Sequence, residues 1–119
     1  MRIYLNKWFQ RFASKDGIDD TSFCDAVWRA ERGQRDADLG GNVMKQQIGR
    51  VGEGKSSGYR TIILYLAGTR AFFVYGYAKS DRNNITKDEL RGFKDLAKHK
   101  LSYDDAQLLS AVRNGALGI

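Results

Sequence analysis

The hydrophobic pattern of this chain changes period twice, and those changes constrain its fold more than any other feature. From Leu5 to Ala30 the apolar residues recur at helical spacing, with Leu5, Trp8, Phe9 and Phe12 on one face, then Phe23, Val27 and Ala30 on another. Between Val43 and Ala78 the residues turn β-branched and aromatic. Three runs result: Val43 to Ile48, Tyr59 to Leu66 and Ala71 to Ala78, the last two joined by Ala67-Gly68-Thr69 as a hairpin turn. Helical spacing then returns through Leu90, Phe93 and Ala97 and again through Leu109 and Val112.

The ends of these elements carry their own signals. A short strand over Arg2 to Leu5 leads into a helix that stops at Gly17. A second helix opens at Thr21 or Ser22, with Ser22 and Asp25 spaced as a capping box, and ends at Gly33. Thr86 and Glu89 form another such box, and Ser102 with Asp105 opens a short last helix ending at Gly115. The expected fold is α+β and two-layered. A helix hairpin packs on an antiparallel sheet of three to four strands, C-terminal helices follow, and one domain spans residues 1–119.

Charge narrows the partners. The chain carries a formal net charge of +6 with a pI near 9.6, which favours polyanions. Between Val43 and Arg82 the cations are Lys45, Arg50, Lys55, Arg60, Arg70, Lys79 and Arg82, against only Glu53 and Asp81. Most of the excess positive charge therefore belongs to the sheet. Cys24 is the sole cysteine, so no internal disulfide can form, and the opening residues lack a signal-peptide core. The longest apolar stretch, Ile62 to Ala67, falls far short of the ~20 residues that span a bilayer. A cytoplasmic protein without membrane association is expected.

Several constellations are weaker than they look. Gly49 to Ser56 matches the phosphate-loop pattern G-x-x-x-x-G-K-[ST], but that loop works by opening a helix, whereas a strand follows here. The stretch reads instead as a hairpin connection presenting Arg50 and Lys55. His99 is the only histidine and sits among helix-end cations, so neither a histidine pair nor a metal centre is expected, and no cofactor is called for. Cys24 reads as a small packed hydrophobe. Phe72 and Phe73 read as core, while Tyr59 and Tyr77, beside Arg60 and Lys79, are candidates to stack on bases.

Two segments carry chemistry, Gly54-Lys55-Ser56-Ser57-Gly58-Tyr59-Arg60 and the run from Tyr75 to Ile85, which contains Lys79, Arg82 and Asn84. Paired as a hairpin, they bring Arg60 to the same end of the sheet as Lys79 and Arg82. These segments resemble the signature of the RelE/ParE superfamily of bacterial toxins, and specifically its HigB-like RelE branch. The resemblance implies a type II toxin that cleaves mRNA in the ribosomal A site, without a metal, and is silenced by a cognate antitoxin with a DNA-binding part. It further implies that Arg60 stabilises charge on the scissile phosphate, with Lys79 and Arg82 as the basic loop and Lys45 as a proton-transfer candidate. Arg50, Lys55, Tyr59, Tyr77 and Asn84 would contact RNA. Where RelE itself has a stacking tyrosine this chain has Thr86, and its second strand lysine is Gln47. The other activities open to such a chain are gyrase inhibition on the same fold and plain nucleic-acid binding.

Overall fold

A computed structural model describes the backbone of residues 1–50 and 54–118, and the side chains of residues 1–49 and 58–118. The chain runs β1 (Arg2–Asn6), α1 (Lys7–Asp16), α2 (Asp20–Glu31), β2 (Ala37–Gly40), β3 (Val43–Arg50), β4 (Gly54–Leu66), β5 (Arg70–Ala78), α3 (Lys87–Lys100), α4 (Asp105–Arg113) and β6 (Leu117–Gly118). The α+β class is the one expected. The sheet, however, has six strands in the order β2-β3-β4-β5-β1-β6, and β1 runs parallel to β5. It is therefore mixed rather than wholly antiparallel. The extra strands β2 and β6 are four and two residues long, too short to leave a period in the sequence.

Each sheet face has its own apolar cluster. On one side Phe9 and Ala13 of α1 and Phe23, Ala26, Val27 and Ala30 of α2 pack on Met44, Ile48, Ile63, Tyr65 and Phe73. On the other, Leu90, Phe93 and Ala97 of α3 and Leu108 and Val112 of α4 cover Val43, Ile62, Leu64 and Phe72. Phe72 and Phe73 thus serve as core on opposite faces, as strand alternation requires. The buried Gln46 side chain ties three segments together. It donates to Ala26 O and Gln34 O at 2.9 and 3.0 Å and accepts from Asp36 N at 3.0 Å, so its amide is satisfied.

Two helix starts differ from expectation. Asp19, not Thr21 or Ser22, caps α2, its carboxylate accepting from Ser22 N at 3.1 Å, and Asp20 adds a second negative charge in the first turn. Asp104 caps α4 with Gln107 as its reciprocal partner, because the Ser102 hydroxyl is engaged by His99 O at 2.7 Å. The Thr86–Glu89 box is present as read, and Gly17 closes α1 at φ +68°. Cys24 is exposed rather than packed, since it lies off the stripe of Phe23, Ala26, Val27 and Ala30.

The β4–β5 pairing contains the irregularity that builds the functional end of the molecule. Ile62 pairs with Tyr75 but Ile63 pairs with Phe73, leaving Val74 as an extra residue in β5. This bulge resets the alternation, so Tyr75 and Tyr77 face the α3 side instead of following Phe73 toward α1. Gly76 faces α1, where a Cβ would stand 2.7 Å from the Phe12 ring. Gly58 is equally constrained, because a Cβ there would collide with Ile48 O across the β3–β4 pair.

Candidate active site

Three strands and one loop converge at the end of the sheet where β4 rises and β5 leaves. Arg60 pairs across the sheet with Gln47 on one side and Tyr77 on the other, so all three side chains share the α3 face. Gln47, its amide oriented by the hydrogen bonds it can make, accepts from Arg60 Nη1 at 3.0 Å and Nη2 at 3.2 Å. Among the described residues Arg60 has no carboxylate partner, and the group that accepts from it is the neutral Gln47 amide. Lys45, two residues from Gln47 on the same face, donates to Asn84 Oδ1 at 3.4 Å.

Arg82 reaches the same face from the loop after β5. Its guanidinium lies 5.4 Å from the centre of the Tyr77 ring and 5.8 Å from that of Tyr75. It donates to Asn84 O and to the Tyr75 hydroxyl, each at 3.0 Å, and to the two carboxylate oxygens of Glu89 at 3.1 and 2.6 Å. Glu89 also accepts from Thr86 N at 2.7 Å in the α3 capping box. One carboxylate therefore caps the helix and clamps the arginine, and the Arg82 bonds, reinforced by the cap, hold Glu89 down at about 2. Arg82 is correspondingly raised above the usual arginine value, chiefly by the Glu89 hydrogen bonds.

Lys79 sits just past β5 and closes the pairing, its amide donating to Gly58 O at 3.1 Å. Its side chain is exposed and makes no ion pair among the described residues. Burial raises the Tyr77 phenol above its ordinary value while Arg60 and Arg82 pull the other way, so at neutral pH it stays protonated. Tyr77 Oη and Arg60 Nε are both buried without a hydrogen-bond partner among the described residues. Orphaned polar groups are costly, on the order of 1–3 kcal/mol each, and these two stand on directly paired residues of β4 and β5.

Of the residues expected to form the site, Arg60, Arg82, Lys45 and Asn84 come together, with Lys79 at the strand exit beside them. Two aromatic expectations are corrected. Tyr59 lies on the opposite face, 8% exposed and edge-on to Phe12 at 5.6 Å, and Tyr77 is 5% exposed beneath Arg82, so neither offers a ring face to a base. The side chains of Arg50 and Lys55 lie outside the described residues. Gln47 enters the sequence reading only as the position of the family's second strand lysine, and its hold on Arg60 comes from strand register. Tyr75 and Glu89 are additions to the site: register places the first, and the capping motif that flags Glu89 does not show its hold on Arg82.

A small α+β domain that gathers Lys45, Arg60, Lys79 and Arg82 at one sheet end has the donors to hold an anion there. The family model described as RelE toxin of the RelE / RelB toxin-antitoxin system matches residues 1–118, and the chain belongs to that family. It is thus the toxin of a toxin-antitoxin pair, of a kind whose members are generally endoribonucleases that inhibit translation, and a cognate antitoxin is implied. Comparison with curated proteins gives no match. No helix among the described residues is long and apolar enough to cross a membrane.

Proposed function

We propose that this chain is a ribosome-dependent mRNA endonuclease of the HigB-like branch, acting in the cytoplasm without a metal ion and silenced there by its antitoxin. The observation that carries the reading is the contrast at Arg60, a positive charge seated in the sheet and held by an amide rather than a carboxylate. In RNA the neighbouring 2′-hydroxyl supplies the nucleophile. It attacks phosphorus, the P–O5′ bond breaks, and the products are a 2′,3′-cyclic phosphate and a 5′-hydroxyl. The protein has to orient the strand and neutralise charge that grows on the phosphate oxygens.

Arg60 does the second, and a preorganised donor in such a place is worth roughly a hundred- to a thousandfold in rate. Lys45 and Lys79 add positive potential, and Asn84 fixes Lys45 and Arg82 relative to one another. Arg82 is largely neutralised by Glu89 and serves to hold Tyr75, Tyr77 and the loop in register with Arg60. The ribosome supplies the remaining orientation, as expected where lysine and arginine are poor bases at their ordinary values.

The test is cleavage of mRNA on programmed ribosomes, mapped by primer extension, with a second message bearing a 2′-deoxy nucleotide at the cut. Cutting of the first, with a cyclic phosphate end, and survival of the second are expected. Intact RNA alongside trapped gyrase–DNA complexes would assign the chain to DNA instead, and intact RNA with simple binding would leave it a non-catalytic module.

A further inference from the structure

Leu5 belongs to β1, and of the apolar residues that follow it on α1 one does not behave as core. Phe9 is fully buried and Phe12 half-buried, whereas Trp8 is 44% exposed. Trp28 is exposed too, but the Arg32 guanidinium lies 4.3 Å over its ring. Trp8 instead touches the cationic end. Its ring lies 4.6 Å from that of Tyr75, whose hydroxyl accepts from Arg82 at 3.0 Å.

The position follows from the topology. β1 leaves the sheet after pairing Leu5 with Phe73, and Asn6 caps α1 while its side-chain amide donates to Val74 O at 3.1 Å. Trp8 therefore stands over the stretch of β5 where the bulge has turned Tyr75 to the α3 side. Phe12 stacks on it at 5.3 Å with the rings 17° from parallel, so the indole is held in place before any ligand arrives. A rigid, half-exposed aromatic beside a cationic site suits a flat π-system that arrives on a polyanion, and Lys7 next to it is exposed and positive.

We propose that the Trp8 indole is the stacking platform for a nucleobase of the RNA strand whose phosphate Arg60 holds. The proposal rests on the RNA-directed reading above and replaces the stacking role that Tyr59 and Tyr77 are too buried to fill.

The chain has two tryptophans, which makes the test direct. In the Trp28→Phe chain all indole emission comes from Trp8, and a short single-stranded RNA, 2′-O-methylated so that it cannot be cut, is titrated in. Saturable quenching is expected there and none in the Trp8→Phe chain, where Trp28 reports. By anisotropy of labelled RNA, Trp8→Phe should bind within about threefold of wild type, and Trp8→Leu, which keeps apolar volume but cannot stack, roughly 5- to 150-fold more weakly. Thermal melting of the leucine variant near wild type separates stacking from packing.

Absence of Trp8 quenching, or wild-type binding by Trp8→Leu, overturns the proposal even if programmed ribosomes are cut normally. Equal quenching by duplex DNA also overturns it. Quenching with weakened leucine binding but no cleavage leaves the platform standing and removes the nuclease reading instead.

Discussion

Arg60 and Arg82 approach the same face of the same sheet end with the same charge, but a phosphate meets them differently. Displacing Glu89 from Arg82 means breaking two charge-assisted bonds and loosening a helix cap, whereas displacing Gln47 from Arg60 leaves only a neutral amide to rehydrate. Gln47→Glu would supply Arg60 with a carboxylate at the same reach. It should leave stability unchanged or slightly higher while lowering cleavage at least tenfold, measured as single-turnover rate beside a thermal melt. Unaltered cleavage would mean that the free charge of Arg60 is not used. Glu89 makes an opposite prediction, about stability. Because its carboxyl is depressed to about 2 in the folded chain, the pair stabilises the fold above the ordinary glutamate value, near 4.5, and that stabilisation is lost as pH falls toward 2. Melting of Glu89→Gln should accordingly be lower than wild type at pH 7, with the gap closing between pH 4.5 and 2. A constant gap would refute the linkage.

At the level of elements, the bulge at Val74 and the two glycines at 58 and 76 do together what no single side chain does. They let α1 sit close on β5, bring β3 against β4, and turn Tyr75 and Tyr77 toward Arg60. Gly58→Ala should therefore be among the most damaging single-methyl changes in the molecule, costing more than about 2 kcal/mol in denaturant unfolding, since backbone rather than a movable side chain blocks the Cβ. A loss under about 0.5 kcal/mol would contradict the close approach. These elements also show what sequence can carry. Helices long enough to repeat an apolar stripe, the three long strands and the Thr86 box were legible, because each rests on local spacing. The parallel pairing of β1 and the short strands β2 and β6 were not, because they depend on contacts between distant segments. Across the β5 bulge strand parity fails, which hides Tyr75 as a neighbour of Arg60, while Gln47 and Trp8 become neighbours of the site only through the β3–β4 register and the seating of α1 on β5. Two aspartates at 19 and 104 took caps assigned to hydroxyl residues nearby, a choice that spacing alone leaves open.

Over the whole molecule, Lys45, Arg60, Lys79 and Arg82 gather at one end of the sheet while the helix pairs cover apolar clusters on both faces, and a polyanion is expected to land at that end. Counterion release gives a slope of about −0.7 per phosphate neutralised on a single strand. If Lys45, Arg50, Arg60, Lys55 and Lys79 each neutralise one phosphate, RNA affinity should fall roughly a hundredfold between 50 and 200 mM salt. Arg82 is left out of that sum because Glu89 already compensates it. A flat salt response would put the binding surface elsewhere. Arg60 is the residue on which cleavage should depend most, and the most direct measurement is the single-turnover rate of mRNA cleavage on programmed ribosomes by wild type and by Arg60→Ala, with melting temperatures taken in parallel. A loss of roughly a hundred- to a thousandfold in rate, in a variant that still folds, is the predicted result. Cutting by the alanine variant at the wild-type rate would contradict it.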